Sequence, residues 1–194
     1  MKIIRQRMTV ISNECLAPGI FGIWLKNRAM ALLSRPGCFI NFYSNDNSRL
    51  LPRPISICET DVENESLRIV FRVNGAGTDE LAHLDPGNTL DAVGPCGNGY
   101  TLQKDGIALL VGGGIGIPPL LELVKKLPVE SVVVLGYRDK NTFLAEECIQ
   151  ILYVVWQHEC HPRSGSEFHF SEIENGVFLV WHLVVLCALL CKFC

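Results

Sequence analysis

Three short stretches of the chain carry residue types whose spacing suits the recognition of phosphate and of a flat polar ring. In Arg53-Pro54-Ile55-Ser56-Ile57, arginine offers a forked set of donors to phosphate oxygens. Proline closes a strand end where no N–H is needed, and the Ser56 hydroxyl can reach a polar ring edge. A flavin dinucleotide presents both kinds of partner, a charged pyrophosphate and a flat ring with polar edges. Read alone, the same five residues equally describe an edge strand with a solvated arginine.

The second stretch is Val70-Phe71-Arg72-Val73-Asn74-Gly75-Ala76-Gly77-Thr78-Asp79-Glu80. It reads as a strand, a turn of small residues and a helix start with Thr78 as N-cap. Glycines let an anion approach the free N–H groups of such a start, although an ordinary capped helix would look the same. The third is Leu110-Val111-Gly112-Gly113-Gly114-Ile115-Gly116-Ile117-Pro118-Pro119. Strand, glycines and helix follow in the order of a nucleotide-binding turn. It is neither a strict G-x-G-x-x-G nor a P-loop, and the prolines suit a first helical turn.

Two kinds of element would have to position these stretches. Residues 1 to about 101 read as short strands at Ile3–Ile11, Gly19–Lys26, Gly37–Tyr43, Arg53–Cys58, Leu67–Asn74 and Thr89–Val93, with one helix at Asp79–Leu84. Turn signals such as Ala17-Pro18-Gly19 and Asp85-Pro86-Gly87-Asn88 separate them, as in an antiparallel barrel. After Gln103-Lys104-Asp105 come the apolar run Ile107–Val111, the glycine turn, a helix from Pro118 to Lys126 and a second apolar run, Ser131–Leu135. That is a βαβ unit on a parallel sheet. Thr142–Ile151 reads as a further helix. The expected fold is β-barrel plus α/β: an antiparallel FAD-binding barrel over 1–101, then an incomplete nucleotide-binding parallel-sheet domain over 102–194, truncated or divergent after about 147.

Composition excludes several classes. Of the 194 residues 48% are hydrophobic and 19% charged, which supports a packed core rather than disorder. A net charge of −3 gives no basic surplus for nucleic acid. The nine cysteines, an odd number behind an N-terminus without an apolar leader, point to a reducing cytoplasm. The apolar stretch Val177–Leu190 falls short of the roughly 20 residues that span a bilayer, so no membrane anchoring is expected. His83 reads as a surface residue, Cys96 as a packing residue, and Glu122, Lys125 and Lys126 as a solvated helix face.

R-P-x-S on a barrel strand, then G-x-G-T before a helix, then G-G-G-I-G opening a βαβ unit: in this order the chain resembles the ferredoxin–NADP reductase superfamily. Within it, the chain is similar to the electron-transfer subunits of NAD-dependent (type B) dihydroorotate dehydrogenases. Pro36-Gly37-Cys38-Phe39, Leu90–Tyr100 and Gly136-Tyr137-Arg138 join the resemblance, which covers about residues 1 to 147. It implies FAD contacts from Arg53, Pro54, Ile55 and Ser56, a lining from Val70, Phe71 and Arg72, and a phosphate held by Gly77 and Thr78. It also implies that Gly112, Gly113, Gly114 and Gly116 meet NAD beside the flavin. The implied partner is an FMN-containing dihydroorotate dehydrogenase catalytic subunit in a hetero-oligomer. Its electrons would pass through a [2Fe–2S] cluster and FAD to NAD in pyrimidine biosynthesis. Sulfide dehydrogenase and hydrogenase diaphorase subunits share these motifs, and an inactive flavin-binding remnant would keep them as well.

Beyond about residue 147 the sequence departs from that pattern. The last 44 residues hold four of the five histidines and four of the nine cysteines, and only two of the 17 glycines. Cys187, Cys191 and Cys194 are spaced C-x3-C-x2-C, without the glycine-rich cysteine loop that the resemblance implies for cluster ligands. No metal ligands are assigned on this basis, and no convincing strand-turn-helix rhythm is read past about Gln150.

Overall fold

The computed structural model describes residues 2–46 and 49–137 and the backbone of Val155–Gln157. These lie within one compact unit, Met1–Cys160. Strands β1 (Ile4–Ala17), β2 (Ile20–Lys26), β3 (Phe39–Phe42), β4 (Arg53–Asp61), β5 (Ser66–Arg72) and β6 (Thr89–Cys96) close an antiparallel barrel in the order β1-β2-β5-β4-β3-β6. Helix α1 (Arg28–Leu33) follows β2, and α2 (Ala76–Ala82) follows β5.

The first strand is longer than the sequence suggests, and a helix follows β2. The first strand continues from Ile11 to Ala17, because an irregularity between Val10 and Ser12 shifts the register and lets pairing with β2 persist. Helix α1 was not expected. The Asn27 side chain accepts from the Met30 N–H at 2.9 Å and starts the helix. Met30 then drops into the barrel core.

The barrel interior follows strand alternation. Leu67, Ile69 and Phe71 of β5 point inward to meet Met8, Ile40 and Phe42. Yet Ser66 through Phe71 are all buried, which a barrel wall facing water would not show. At Val70 the outer face of β5 is covered by the second part of the unit.

That part is a parallel sheet of β7 (Ala108–Gly113), β8 (Ser131–Tyr137) and β9 (Val155–Gln157), in that order. A 3-10 turn (Gly114–Gly116) and helix α3 (Pro119–Lys126) connect β7 to β8. Ile117, Leu120, Leu121 and Leu123 pack with Val133 and Leu135 on one side, and with Ile20, Cys58 and Val70 of the barrel wall on the other. Strand β9 lies beyond Gln150, in a stretch where the sequence shows no clear strand-turn-helix rhythm. Its Val-Trp pair is a β-branched and aromatic signal of the kind strands favour. The expected helix at 142–151, the cysteine tail and the 177–190 stretch lie outside the described residues.

Candidate functional site

The β4–β5 ladder pairs Asp61 with Ser66 and runs to Ile57 opposite Ile69, and there it stops. Beyond that point Arg53–Ser56 and Val70–Arg72 stay in strands, each paired on its other side, with β3 and β2 respectively. The two stretches singled out in the sequence are therefore opposite lips of a splay in the barrel wall. Backbone groups on both lips lack strand partners there, which suits a polar ligand.

Alternation along β4 sends its residues to different sides. Pro54 and Ser56 are exposed, while Arg53 and Ile55 are half-buried. The Arg53 guanidinium crosses to α2 and lies on Gly77. A Cβ on Gly77 would sit 1.9 Å from Arg53 Nε and 2.5 Å from its Cζ. Arg53 Nη1 donates to the Leu51 carbonyl at 2.5 Å. It has no carboxylate partner among the described residues, so its charge remains available to an anion.

Helix α2 starts at Ala76 with Gly75 as N-cap, which corrects the assignment of that role to Thr78 and the expected start at Asp79. Thr78 instead folds back. Its hydroxyl accepts from the Asn74 N–H at 2.9 Å and donates to the Gly75 carbonyl at 3.0 Å. Thr78 thus ties the first turn of α2 to the residue that precedes its cap.

Of the second lip, Phe71 faces the barrel core and stacks on Phe21 with ring centroids 6.2 Å apart. Val70 packs outward against Ile117 and its neighbours, and Arg72 is exposed. The side chains of these three do not share a face. A ligand in the splay would meet their backbone and Arg72.

Local spacing did not point to the partners of α2. Glu80 accepts from the Asn45 N–H at 2.8 Å, from Arg49 Nη1 at 3.1 Å and from the Ser44 hydroxyl. Arg49 Nη1 also donates to the Ala76 carbonyl at 2.7 Å. The β3–β4 loop is thereby fastened to the helix, and a narrow cleft lies between them, lined by Tyr43, Ser44, Arg53, Gly77 and Glu80. From the other side, the Asn13 side-chain amide donates to the carbonyls of Leu81, Ala82 and Leu84 at 3.2, 3.1 and 2.9 Å. Ser44 and Asn45 read in sequence only as a turn and Glu80 only as a first-turn acid. Nothing in their spacing links residues this far apart.

The glycine turn sits at the carboxyl end of the parallel strands, where open α/β sheets place their ligand crevice. Gly112 is buried, and a Cβ there would come 2.6 Å from Leu120 Cδ1, so its small size serves strand–helix packing. Gly113 and Gly116 are exposed, Gly114 has φ +51°, and neither Gly114 nor Gly116 has an atom within 4 Å of an added Cβ. The turn packs against β5, the strand that forms one lip of the splay. Both candidate sites thus touch the same wall.

His83 is exposed and Cys96 is buried, as expected. Glu122 is not solvated: it is 2% exposed and bonded to the barrel. Among the described residues, no group of three or more His, Cys, Asp or Glu could hold a metal ion. No helix among them is long and apolar enough to cross a membrane.

No protein-family model matches the chain. The dihydroorotate dehydrogenase B (NAD(+)) electron transfer subunit of Streptococcus mutans serotype c is 40% identical over 151 residues, covering 75% of this chain and 58% of that protein. Its counterpart from Enterococcus faecalis strain V583 is 42% identical over 143 residues, 71% of this chain and 54% of that protein. The chain spans a little over half the length of the curated relatives it matches. Among solved structures, that of the NADH-dependent reduced ferredoxin-NADP oxidoreductase superposes with a TM-score of 0.64 at 29% identity, covering 70% of this chain and 50% of that one.

Proposed function

Because the chain is a relative of the dihydroorotate dehydrogenase B electron transfer subunits and has the ferredoxin–NADP reductase-like fold, we propose that it binds FAD in the splay between β4 and β5 and exchanges electrons between that flavin and NAD. The observation that supports this most directly is the end of the β4–β5 ladder at Ile57 and Ile69, beside an arginine resting on Gly77.

On this reading the Arg53 guanidinium and the Gly77–Thr78 turn hold the pyrophosphate, a charge-assisted contact that needs the close approach a glycine allows. Pro54, Ile55 and Ser56 border the ring, with the exposed Ser56 hydroxyl available to its polar edge. The backbone of Val70–Arg72 closes the other side. The open glycines Gly113, Gly114 and Gly116 receive the nicotinamide dinucleotide, while Gly112 keeps α3 close to its strand. When bound, FAD supplies the exchange between hydride and single-electron transfer. The protein's part is to bring the two rings to one wall, β5, and to shield them from water.

The other end of the electron path, on this proposal, is an FMN-containing subunit that oxidises dihydroorotate, joined to this chain in a hetero-oligomer of pyrimidine biosynthesis. A reducing cytoplasm suits the buried cysteines Cys38, Cys58 and Cys96. The [2Fe–2S] cluster that the resemblance implies would need ligands from outside the described residues.

The test is a visible absorption spectrum of the purified full chain, with an iron assay and release of the chromophore by acid. The expected result is FAD bound about one to one, bleached by NADH without oxygen. A colourless protein that takes up no added FAD would overturn the reading.

A further inference from the structure

One charged residue of α3 is buried without any part in either candidate site. Glu122 is 2% exposed, and both of its oxygens are used by one residue of the barrel. Oε2 accepts from the Thr60 N–H at 2.9 Å and Oε1 from the Thr60 hydroxyl at 2.5 Å. One turn further on, Lys125 Nζ pairs with Glu59 Oε1, so consecutive residues of β4 are held by one helix. Lys126 Nζ, at 3.9 Å from Glu122 Oε1, is the other charge facing the carboxylate.

Adhesion does not require this arrangement. Ile20, Cys58 and Val70 already meet Ile117, Leu120 and Leu123 across the same contact, and apolar contact of this kind is strong but has no preferred direction. A buried carboxylate adds little net stability over an apolar side chain of its size. What it adds is direction, since two hydrogen bonds to one residue fix both distance and angle.

The clasp joins the two elements that carry the candidate sites. Thr60 is four residues along β4 from Ser56, about 13 Å at the rise of a strand. Glu122 is six residues beyond Gly116, about 9 Å at helical rise. At such lengths a tilt of about 10° moves either site by roughly 2 Å, and a misplacement of about 1 Å is enough to slow a reaction by about 100-fold.

We propose that Glu122 is a positioning residue: its clasp on Thr60 sets the angle at which the Gly112–Gly116 turn faces the Arg53–Ser56 strand, and so the approach of nicotinamide to flavin. The proposal rests on the FAD and NAD reading of those two segments. Glu122 touches neither ligand and acts through the helix and strand it joins.

The experiment compares full-length wild type with Thr60→Val, Glu122→Gln and the conservative Thr60→Ser. Thr60→Val removes one donor at nearly constant volume. Glu122→Gln leaves one oxygen for two donors. Thr60→Ser keeps both donors. Two readouts are taken: the single-turnover rate of flavin reduction at saturating NADH, and amide hydrogen exchange over residues 114–126. Thr60→Val and Glu122→Gln are expected to bind FAD in full yet to be reduced at least about tenfold more slowly. Their exchange over 114–126 should rise while exchange in β1, β2 and β5 holds, and Thr60→Ser should match wild type in both readouts. Unchanged reduction or unchanged exchange in Thr60→Val and Glu122→Gln would overturn the proposal, as would equal slowing by Thr60→Ser. If NADH fails to reduce wild type, the NAD reading fails; the exchange result then decides the clasp alone.

Discussion

The guanidinium of Arg53 rests on the Cα of Gly77, filling the space in which any other residue at 77 would carry its Cβ. A strand and a helix start that are far apart in sequence thereby form one surface, with a free positive charge on a residue that has no side chain. The same contact separates the stability of α2 from its use.

Gly77→Ala tests that separation. Alanine is the better helix former by about 1 kcal/mol, and the atom it strikes is the far end of a flexible side chain. The fold should therefore hold its melting temperature or gain slightly. FAD affinity should fall by at least about tenfold, because Arg53 is displaced from an anion contact worth on the order of 1.5–3 kcal/mol. Thermal unfolding alongside flavin titration reads both; a parallel loss of stability and binding would count against this account.

The glycines of the turn after β7 should divide in the same manner. Gly112→Ala forces a methyl to 2.6 Å from Leu120 Cδ1 in a buried contact, an overpacking expected to cost about 1–3 kcal/mol. Gly116→Ala meets nothing within 4 Å and should leave stability within about 0.5 kcal/mol of wild type. It should raise the NADH concentration needed for half-maximal flavin reduction. Denaturant midpoints and NADH titrations of the two variants should show opposite patterns.

Asn13→Ala removes the donor that caps the carbonyls of Leu81, Ala82 and Leu84. A loss of about 1–2 kcal/mol is expected, as for other removed helix caps. Because α2 carries Gly77, flavin should bind more weakly too. Asn13→Asp should be worse than alanine at neutral pH, since it sets a negative charge against the negative end of a helix. Urea unfolding of both variants gives the comparison.

Acid sensitivity should trace in part to Asp91. Hydrogen bonds from Arg7, at 3.1 Å, and Arg5, at 3.2 Å, hold its carboxyl below the ordinary carboxylate value. The folded state thus binds the proton less readily than the unfolded chain. The stabilisation is fully present above the unfolded value near 4 and is lost as pH falls through the folded one. Asp91→Asn should lower the urea midpoint at pH 7 by a small amount, as exposed pairs do. That difference should shrink toward zero as pH falls below the unfolded value. A gap that persists in acid would contradict the assignment.

The barrel and the glycine turns were legible in sequence because their signals are local. Alternation, turn residues and the order R-P-x-S, G-x-G-T, G-G-G-I-G each act within a few neighbours. Helix α1 was missed because a single asparagine cap starts a helix of only six residues. The continuation of β1 was missed because an irregularity after Val10 breaks the period of two. Glu80 and Asn13 gained their roles from partners brought close only by barrel closure. Glu122 was misread for the same reason: in Leu-Leu-Glu-Leu-Val-Lys-Lys it has the spacing of a wet face, and docking against β4 makes it interior. Strand β9 lies in a stretch whose composition breaks from the rest, which masked a short β-branched and aromatic signal.

Strand β5 is buried on both faces from Ser66 to Phe71. This limits how the chain can be divided or recombined. A barrel cut out at residue 101 would present Ile20, Cys58 and Val70 to water as a sticky patch, so the flavin half is not an interchangeable cassette. Grafting it onto a different nucleotide unit would require a replacement for the apolar lid that α3 and its flanking turn now provide. In evolutionary terms, substitutions on the outer face of β5 are answerable to a neighbour encoded some fifty residues downstream, and the two halves must drift together.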